Sequence, residues 1–129
     1  MNFKQLGISN DLVNTLNQMG IKNPTPIQEE AIPLIINKKD IIAQSQTGTG
    51  KTFAFLLPMF ENINPKDNSI QGLIITPTRE LAIQISEAAQ KLNETKNLNI
   101  LAAYGGKDIK SQLNKLKRNI HLVIGTPGR

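Results

Sequence analysis

From residue 72 to residue 125, apolar stretches of strand length alternate with helix-patterned stretches, and this alternation most restricts the possible folds. Residues 72–76 read as a buried strand. Residues 78–93 read as a helix with Leu81, Ile85, Ala88 and Leu92 on one face. A second strand is expected over 99–103, a helix over 108–117 and a third strand over 120–125. Apolar strands separated by amphipathic helices favour a mostly parallel sheet covered by helices on both faces, the α/β class. Upstream, a helix is expected over 9–19, with Leu12, Val13, Leu16 and Met19 inward and Gly20 as its stop. Another opens at Thr25-Pro26-Ile27-Gln28, and Pro33 is expected to kink or interrupt it before Asn37. Residues 39–44 read as a turn feeding a short buried strand, 53–62 as a helix and 62–71 as a surface connection.

With 129 residues the chain is one domain or part of one. Four Phe, one Tyr and no Trp among plentiful aliphatics suit a sheet covered by helices. The absence of cysteine excludes disulfides and thiolate metal sites. No charged-then-apolar leader and no run of membrane-spanning length is present, so a cytoplasmic, monomeric protein without membrane contact is expected. The net charge is +5, and between Lys107 and Arg118 five basic residues face one acid, Asp108. There Ile109, Leu113 and Leu116 recur at helical spacing, leaving Lys107, Lys110, Lys115 and Lys117 for the other faces. Such a face is either simply solvated or a surface for nucleic acid.

Between the expected strand at 39–44 and the helix after it lies Ser45-Gln46-Thr47-Gly48-Thr49-Gly50-Lys51-Thr52. Glycines let successive backbone N–H groups turn toward one phosphate chain, and the helix start adds its positive dipole end. In this reading Lys51 sits on the β- and γ-phosphates and the Thr52 hydroxyl on a magnesium ion. The phosphate-loop pattern asks for Gly at position 45 and finds Ser, which meets the physical need for a small residue. The alternative is a chance Gly/Thr-rich turn.

A smaller repeat follows two strands: Ile74-Ile75-Thr76-Pro77-Thr78-Arg79 and Ile124-Gly125-Thr126-Pro127-Gly128-Arg129. In each, Thr is placed to cap a helix and Pro to occupy its first turn. Arg then falls beside the positive helix end, a placement unfavourable by ~0.3–1 kcal/mol unless an anion binds there. Two such corners at the carboxyl ends of strands favour phosphate binding over ordinary corners with solvated arginines. Gly105-Gly106 ends the intervening strand, either as a turn or as a place where a nucleic-acid backbone approaches closely.

In this order, these pieces resemble the first RecA-like domain of the DEAD-box ATP-dependent RNA helicases. Gly20-Ile21-Lys22-Asn23-Pro24-Thr25-Pro26-Ile27-Gln28 is similar to the Q motif, with Phe3 as its upstream aromatic. Residues 43–52 resemble motif I, Pro77-Thr78-Arg79-Glu80-Leu81-Ala82 motif Ia, Gly105-Gly106 the GG motif and Thr126-Pro127-Gly128-Arg129 motif Ib. The resemblance implies ATP and Mg2+ as cofactors. It implies a binding set of Phe3, Lys22, Thr25, Gln28, Ser45, Gln46, Thr47, Gly48, Thr49, Gly50, Lys51 and Thr52, with Lys51 and Thr52 catalytic. Gln28 would pair with the adenine edge while Phe3 packs on the base. An amide's one donor and one acceptor match adenine N7 and N6, whereas guanine offers two acceptors. Thr25-x-x-Gln28 is equally a capping box, in which Gln28 satisfies its own helix. RNA-backbone contacts are implied for Thr78, Arg79, Gly105, Gly106, Thr126, Gly128 and Arg129, sequence-independent and steeply salt-dependent.

Residues 1–38 are then the Q-motif helices and 39–129 a phosphate-loop α/β core that stops after motif Ib. The Asp-Glu-Ala-Asp segment, the Ser-Ala-Thr motif and the second RecA-like domain, the expected partner, are not in these residues. Without them the chain is expected to bind ATP without turning it over, and to expose apolar strand faces. Three rivals remain: another phosphate-loop enzyme such as a small kinase or transport ATPase, a non-enzymatic RNA-binding module using the basic helix, and an inert truncated product.

Overall fold

Ser9 and Gly20 bound the first helix. The structure is a computed structural model that describes residues 1–48, 50–105 and 109–129. Its chain divides into two units, Met1–Asn62 and Ile63–Arg129. In the first, α1 (Asn10–Gln18) turns Leu12 and Leu16 into the core, with Val13 and Met19 half-buried. Gly20, at φ +81°, ends it by the usual left-handed turn, its N–H bonding Asn17 O at 3.0 Å and the Ile21 N–H bonding Leu16 O at 2.9 Å. The Ser9 N–H is satisfied from outside the helix, by Glu61 Oε1 at 2.7 Å.

The second helix, α2 (Pro26–Ile36), starts at Thr25 with Pro26 in its first turn and runs unbroken through Pro33, so the expected interruption does not occur. An interior proline loses its N–H bond and crowds the carbonyl four residues back, and packing of α2 on α3 (Lys51–Asn62) offsets that cost. Phe3, Leu6, Leu12, Ile32, Leu57 and Phe60 supply much of this unit's core.

Residues 41–46 depart from expectation, because they join no ladder. Ile42 and Ala43 are exposed; Ile41 and Ala43 line a shallow groove with Ile27, Glu30, Ala31 and Leu34 of α2. β-propensity makes a strand only where a partner supplies hydrogen bonds, and no described strand pairs with this segment.

The second unit is a parallel three-stranded sheet of β1 (Gly72–Ile75), β2 (Ile100–Ala103) and β3 (Leu122–Gly125) in the order β1-β3-β2. Its helices are α4 (Arg79–Leu92) and α5 (Ile109–Leu116). Leu122 and Ile124 of the central strand are fully buried. The packed stripe of α4 is Ala82, Ile85, Ala89 and Leu92, one residue on from the expected one at two positions, and Leu81 is left on the rim. In α5 the expected inward face is overturned: Ile109, Leu113 and Leu116 are exposed and Gln112 is buried. Leu73 and Ile75 of β1 are also exposed, in register with Val123 and Gly125, so one sheet face is open at its β1 end. Asn64–Ser69 form the expected surface connection, tied down where the His121 ring accepts the Asn99 N–H at 2.9 Å and donates from Nε2 to Pro65 O at 3.1 Å.

Gly125 is fixed by close approach. A Cβ there would lie 2.6 Å from Ala103 O, a backbone atom of the neighbouring strand. Gly125→Ala is therefore expected to cost about 1–3 kcal/mol in urea unfolding. Gly105→Ala, with nothing within 4 Å of its added Cβ, should be close to neutral. Equal midpoints for the two variants would show that β2 and β3 are not paired in this register.

Candidate functional site

In the first unit the loop from Ser45 runs directly into α3, whose first residue is Lys51. Gly48 and Gly50 have φ of +83° and +89°, which only glycine adopts without strain. The Ala54 N–H closes the first helical turn on Gly50 O at 3.1 Å, leaving the N–H groups of Lys51, Thr52 and Phe53 without intrahelical acceptors. They form the positive end of α3, where an anion is stabilised. Lys51 is exposed and its Nζ donates to Ser45 O at 2.7 Å, reaching from the start of α3 back across the loop to its first residue. Thr52 is half-buried in the first turn. Thr49 lies outside the described residues.

The Q-like segment meets this loop through one side chain. Gln28 is 2% exposed. Its Oε1 accepts the Thr25 N–H at 3.0 Å, and its Nε2 donates to Gly50 O at 3.1 Å. The capping-box reading is thus realised on the glutamine side. The Thr25 hydroxyl occupies the box's other position, but it is buried and has no partner within hydrogen-bonding geometry among the described residues. Because the amide offers two lone pairs and two N–H groups, one of each remains after these bonds.

Lys22 is exposed. Phe3, by contrast, is a core residue at 2% exposure. Its ring presents no open face for a base; burial of the whole aromatic against the first unit's core has taken precedence over stacking.

In the second unit the candidate corners stand side by side. Ile75 and Ala103 are both in register with Gly125. Just beyond, the Thr76 N–H bonds Gly125 O at 2.9 Å and the Thr126 N–H bonds Ala103 O at 3.0 Å. The carboxyl ends of all three strands therefore finish level, bringing Thr78-Arg79, Gly105 and Thr126-Pro127-Gly128-Arg129 to one sheet end. The cap of α4 is Thr78, whose Oγ1 accepts from the Leu81 N–H at 3.2 Å, and not Thr76 as expected. Thr76 is buried and donates from Oγ1 to Thr78 O at 2.9 Å, bracing the cap. Pro77 stands outside the helix and Arg79 is its first residue, exposed at the positive end. Thr126 is half-buried, and Gly105, Gly128 and Arg129 are exposed. Gly106 lies outside the described residues, as do Lys107 and Asp108.

Sequence reasoning missed Thr76 as a brace and Gln112 altogether. The first was masked by the Thr-Pro-x-Arg repeat, which drew the cap one Thr too early. No periodicity marks Gln112, since the apolar stripe of its helix points to a different face.

A parallel sheet with flanking helices and a glycine loop opening a helix define a phosphate-loop α/β protein of the RecA-like class. The chain belongs to the DEAD/DEAH box helicase family, whose profile matches residues 25–129. It is 53% identical over 127 residues to the ATP-dependent RNA helicase CshA of Listeria monocytogenes, covering 98% of this chain and 24% of that protein. Identity to the DEAD-box ATP-dependent RNA helicase CshA of Bacillus subtilis is 49%, covering 98% and 26%. Among solved structures, a DEAD box protein from the hyperthermophile Methanococcus jannaschii aligns with TM-score 0.93 at 44% identity, covering 100% of this chain and 35% of that one. Dbp5 of S. cerevisiae, bound to RNA and ADP BeF3, aligns with TM-score 0.87 at 36% identity, covering 98% and 32%. The chain thus spans about a quarter of the length of the curated relatives it matches. Among the described residues no helix is long and apolar enough to cross a membrane, and no cluster of three His, Asp or Glu side chains is placed to hold a metal.

Proposed function

We propose that this chain is the ATP-binding and RNA-backbone-binding portion of an ATP-dependent RNA helicase that unwinds or remodels RNA duplexes. Residues 1–38 serve as Q-motif helices and 39–129 as the first part of a RecA-like core. The observation that carries the reading is the loop at Ser45–Gly50, with two left-handed glycines at the start of α3 and Gln28 bonded to its last carbonyl. Lys51 releases Ser45 O and takes up the β- and γ-phosphates, and Ser45, Gln46, Thr47, Gly48, Thr49 and Gly50 wrap the phosphate chain. The Thr52 hydroxyl suits a Mg2+ ion bound with the nucleotide, a hard cation held by oxygen ligands. Thr25 offers a buried hydroxyl beside Gly50.

RNA runs along the level strand ends, with Thr78, Arg79, Gly105, Gly106, Thr126, Gly128 and Arg129 on its phosphates. None of these side chains reads base edges, so binding is sequence-independent. With about three to five phosphates engaged, affinity falls by roughly 0.7 log units per contact per decade of salt. The 129 residues alone bind nucleotide without turnover, because phosphoryl transfer also needs the carboxylates of an Asp-Glu-Ala-Asp segment and the charge stabilisation that arginines of a second RecA-like domain supply. The reading carries with it a monomeric cytoplasmic protein.

Calorimetric titration of the chain with Mg-ATP tests this, beside Lys51→Ala. Saturable binding weakened at least about tenfold by the substitution is expected, as for a lost charge-assisted contact. Undiminished binding by Lys51→Ala, with RNA binding indifferent to nucleotide, would favour a simple RNA-binding module.

A further inference from the structure

Helix α5 buries a primary amide and exposes its apolar stripe. Gln112 is 5% exposed, while Ile109, Leu113 and Leu116 are 53%, 52% and 42% exposed. Burial of area alone favours the opposite arrangement, so the amide has specific partners. Its Nε2 donates to Tyr104 O at 3.1 Å, at the residue joining β2 to Gly105. That bond fixes which end of the amide is which. Oε1 accepts from Arg129 Nη1 at 3.5 Å, a long bond made by one of the guanidinium's several donors.

One side chain therefore ties the corner after β2 to the arginine of the corner after β3. We propose that Gln112 is a positioning residue for RNA binding: anchored on the Tyr104 carbonyl, it holds the Arg129 guanidinium at the carboxyl ends of β2 and β3 to meet a backbone phosphate. This rests on the RNA-backbone reading of Arg129. A neutral amide is the suited group. It accepts from the guanidinium without neutralising it, whereas a carboxylate at 112 pairs with the arginine, competes with phosphate and loses the donor to Tyr104.

Fluorescence anisotropy with a single-stranded oligouridylate tests the proposal on wild type, Gln112→Leu, Arg129→Ala and the double variant across a salt series. Leucine suits a buried helical position, and urea midpoints verify folding. Gln112→Leu is expected to weaken binding about three- to tenfold at about 50 mM salt and to reduce the salt slope by up to about 0.7. In the Arg129→Ala background it should change nothing, because the two effects act through one contact. An equal loss in both backgrounds, or no loss where wild type binds, would overturn the inference. Absence of wild-type RNA binding would overturn the RNA reading, and this inference with it. A second readout needs no RNA. The Arg129 Nη signals in 15N NMR should be resolved in wild type and collapse in Gln112→Leu; signals indifferent to the substitution would exclude the contact.

Discussion

Replacing Gly50 with alanine is expected to lower stability by about 2–4 kcal/mol and to remove saturable ATP binding. Two independent costs add. At φ +89° any L side chain is strained, by at least about 1–2 kcal/mol. The new Cβ also falls inside van der Waals contact with Gln28 Nε2 and lies 3.0 Å from Thr25 Oγ1. Gln28 cannot step aside freely, because it is buried and bonded at both ends of its amide. Either the loop moves away from α2 or the amide loses its bonds, and each outcome displaces the N–H groups at the start of α3 on which the proposed phosphate site depends. Gly48→Ala is the control. Its φ of +83° carries the same backbone strain, but an added Cβ meets nothing within 4 Å. It should cost about 1–2 kcal/mol. Urea unfolding of the two variants separates the terms, and equal losses would show that Gln28 does not touch the loop.

Gln28→Ala is expected to cost about 1–3 kcal/mol and to abolish discrimination between ATP and GTP. The stability loss comes from the Thr25 N–H, which loses its Gln28 acceptor in the helix cap. The Gly50 carbonyl is less affected, since it keeps the Ala54 N–H. Discrimination depends on the remaining lone pair of Oε1 and the remaining N–H of Nε2. Adenine satisfies both, whereas guanine presents acceptors at N7 and O6 and leaves Oε1 facing an oxygen. Alanine treats both bases alike. A variant destabilised as expected but still preferring ATP would assign Gln28 to the cap alone.

Most of the second unit was legible because its elements announce themselves locally. Strands at Gly72–Ile75 and Leu122–Gly125 are short apolar runs ending in Thr-Pro, and α4 carries an apolar period with a Thr at its start. What failed needed information from distant residues. Ile41 and Ile42 have strand propensity, yet the segment is in no ladder because propensity does not supply a partner. The stripe of α5 is as regular as that of α4, but the buried position went to Gln112, whose partners Tyr104 and Arg129 lie in other elements. In the candidate site, Gly48, Gly50 and Lys51 could be read from spacing. The bond from Gln28 to Gly50 could not, since it crosses twenty-two positions of chain. Phe3 is the converse case: an aromatic suited to a base is equally suited to a core, and its ring is buried here.

Whether loop and glutamine form one adenine-nucleotide site is decided by calorimetric titration of wild type and Gln28→Ala with ATP and GTP. Saturable ATP binding at least about tenfold tighter than GTP in wild type, with the ratio falling to about one in the variant, is the predicted result. Folded wild-type chain that binds the two nucleotides equally, or binds neither, would contradict it.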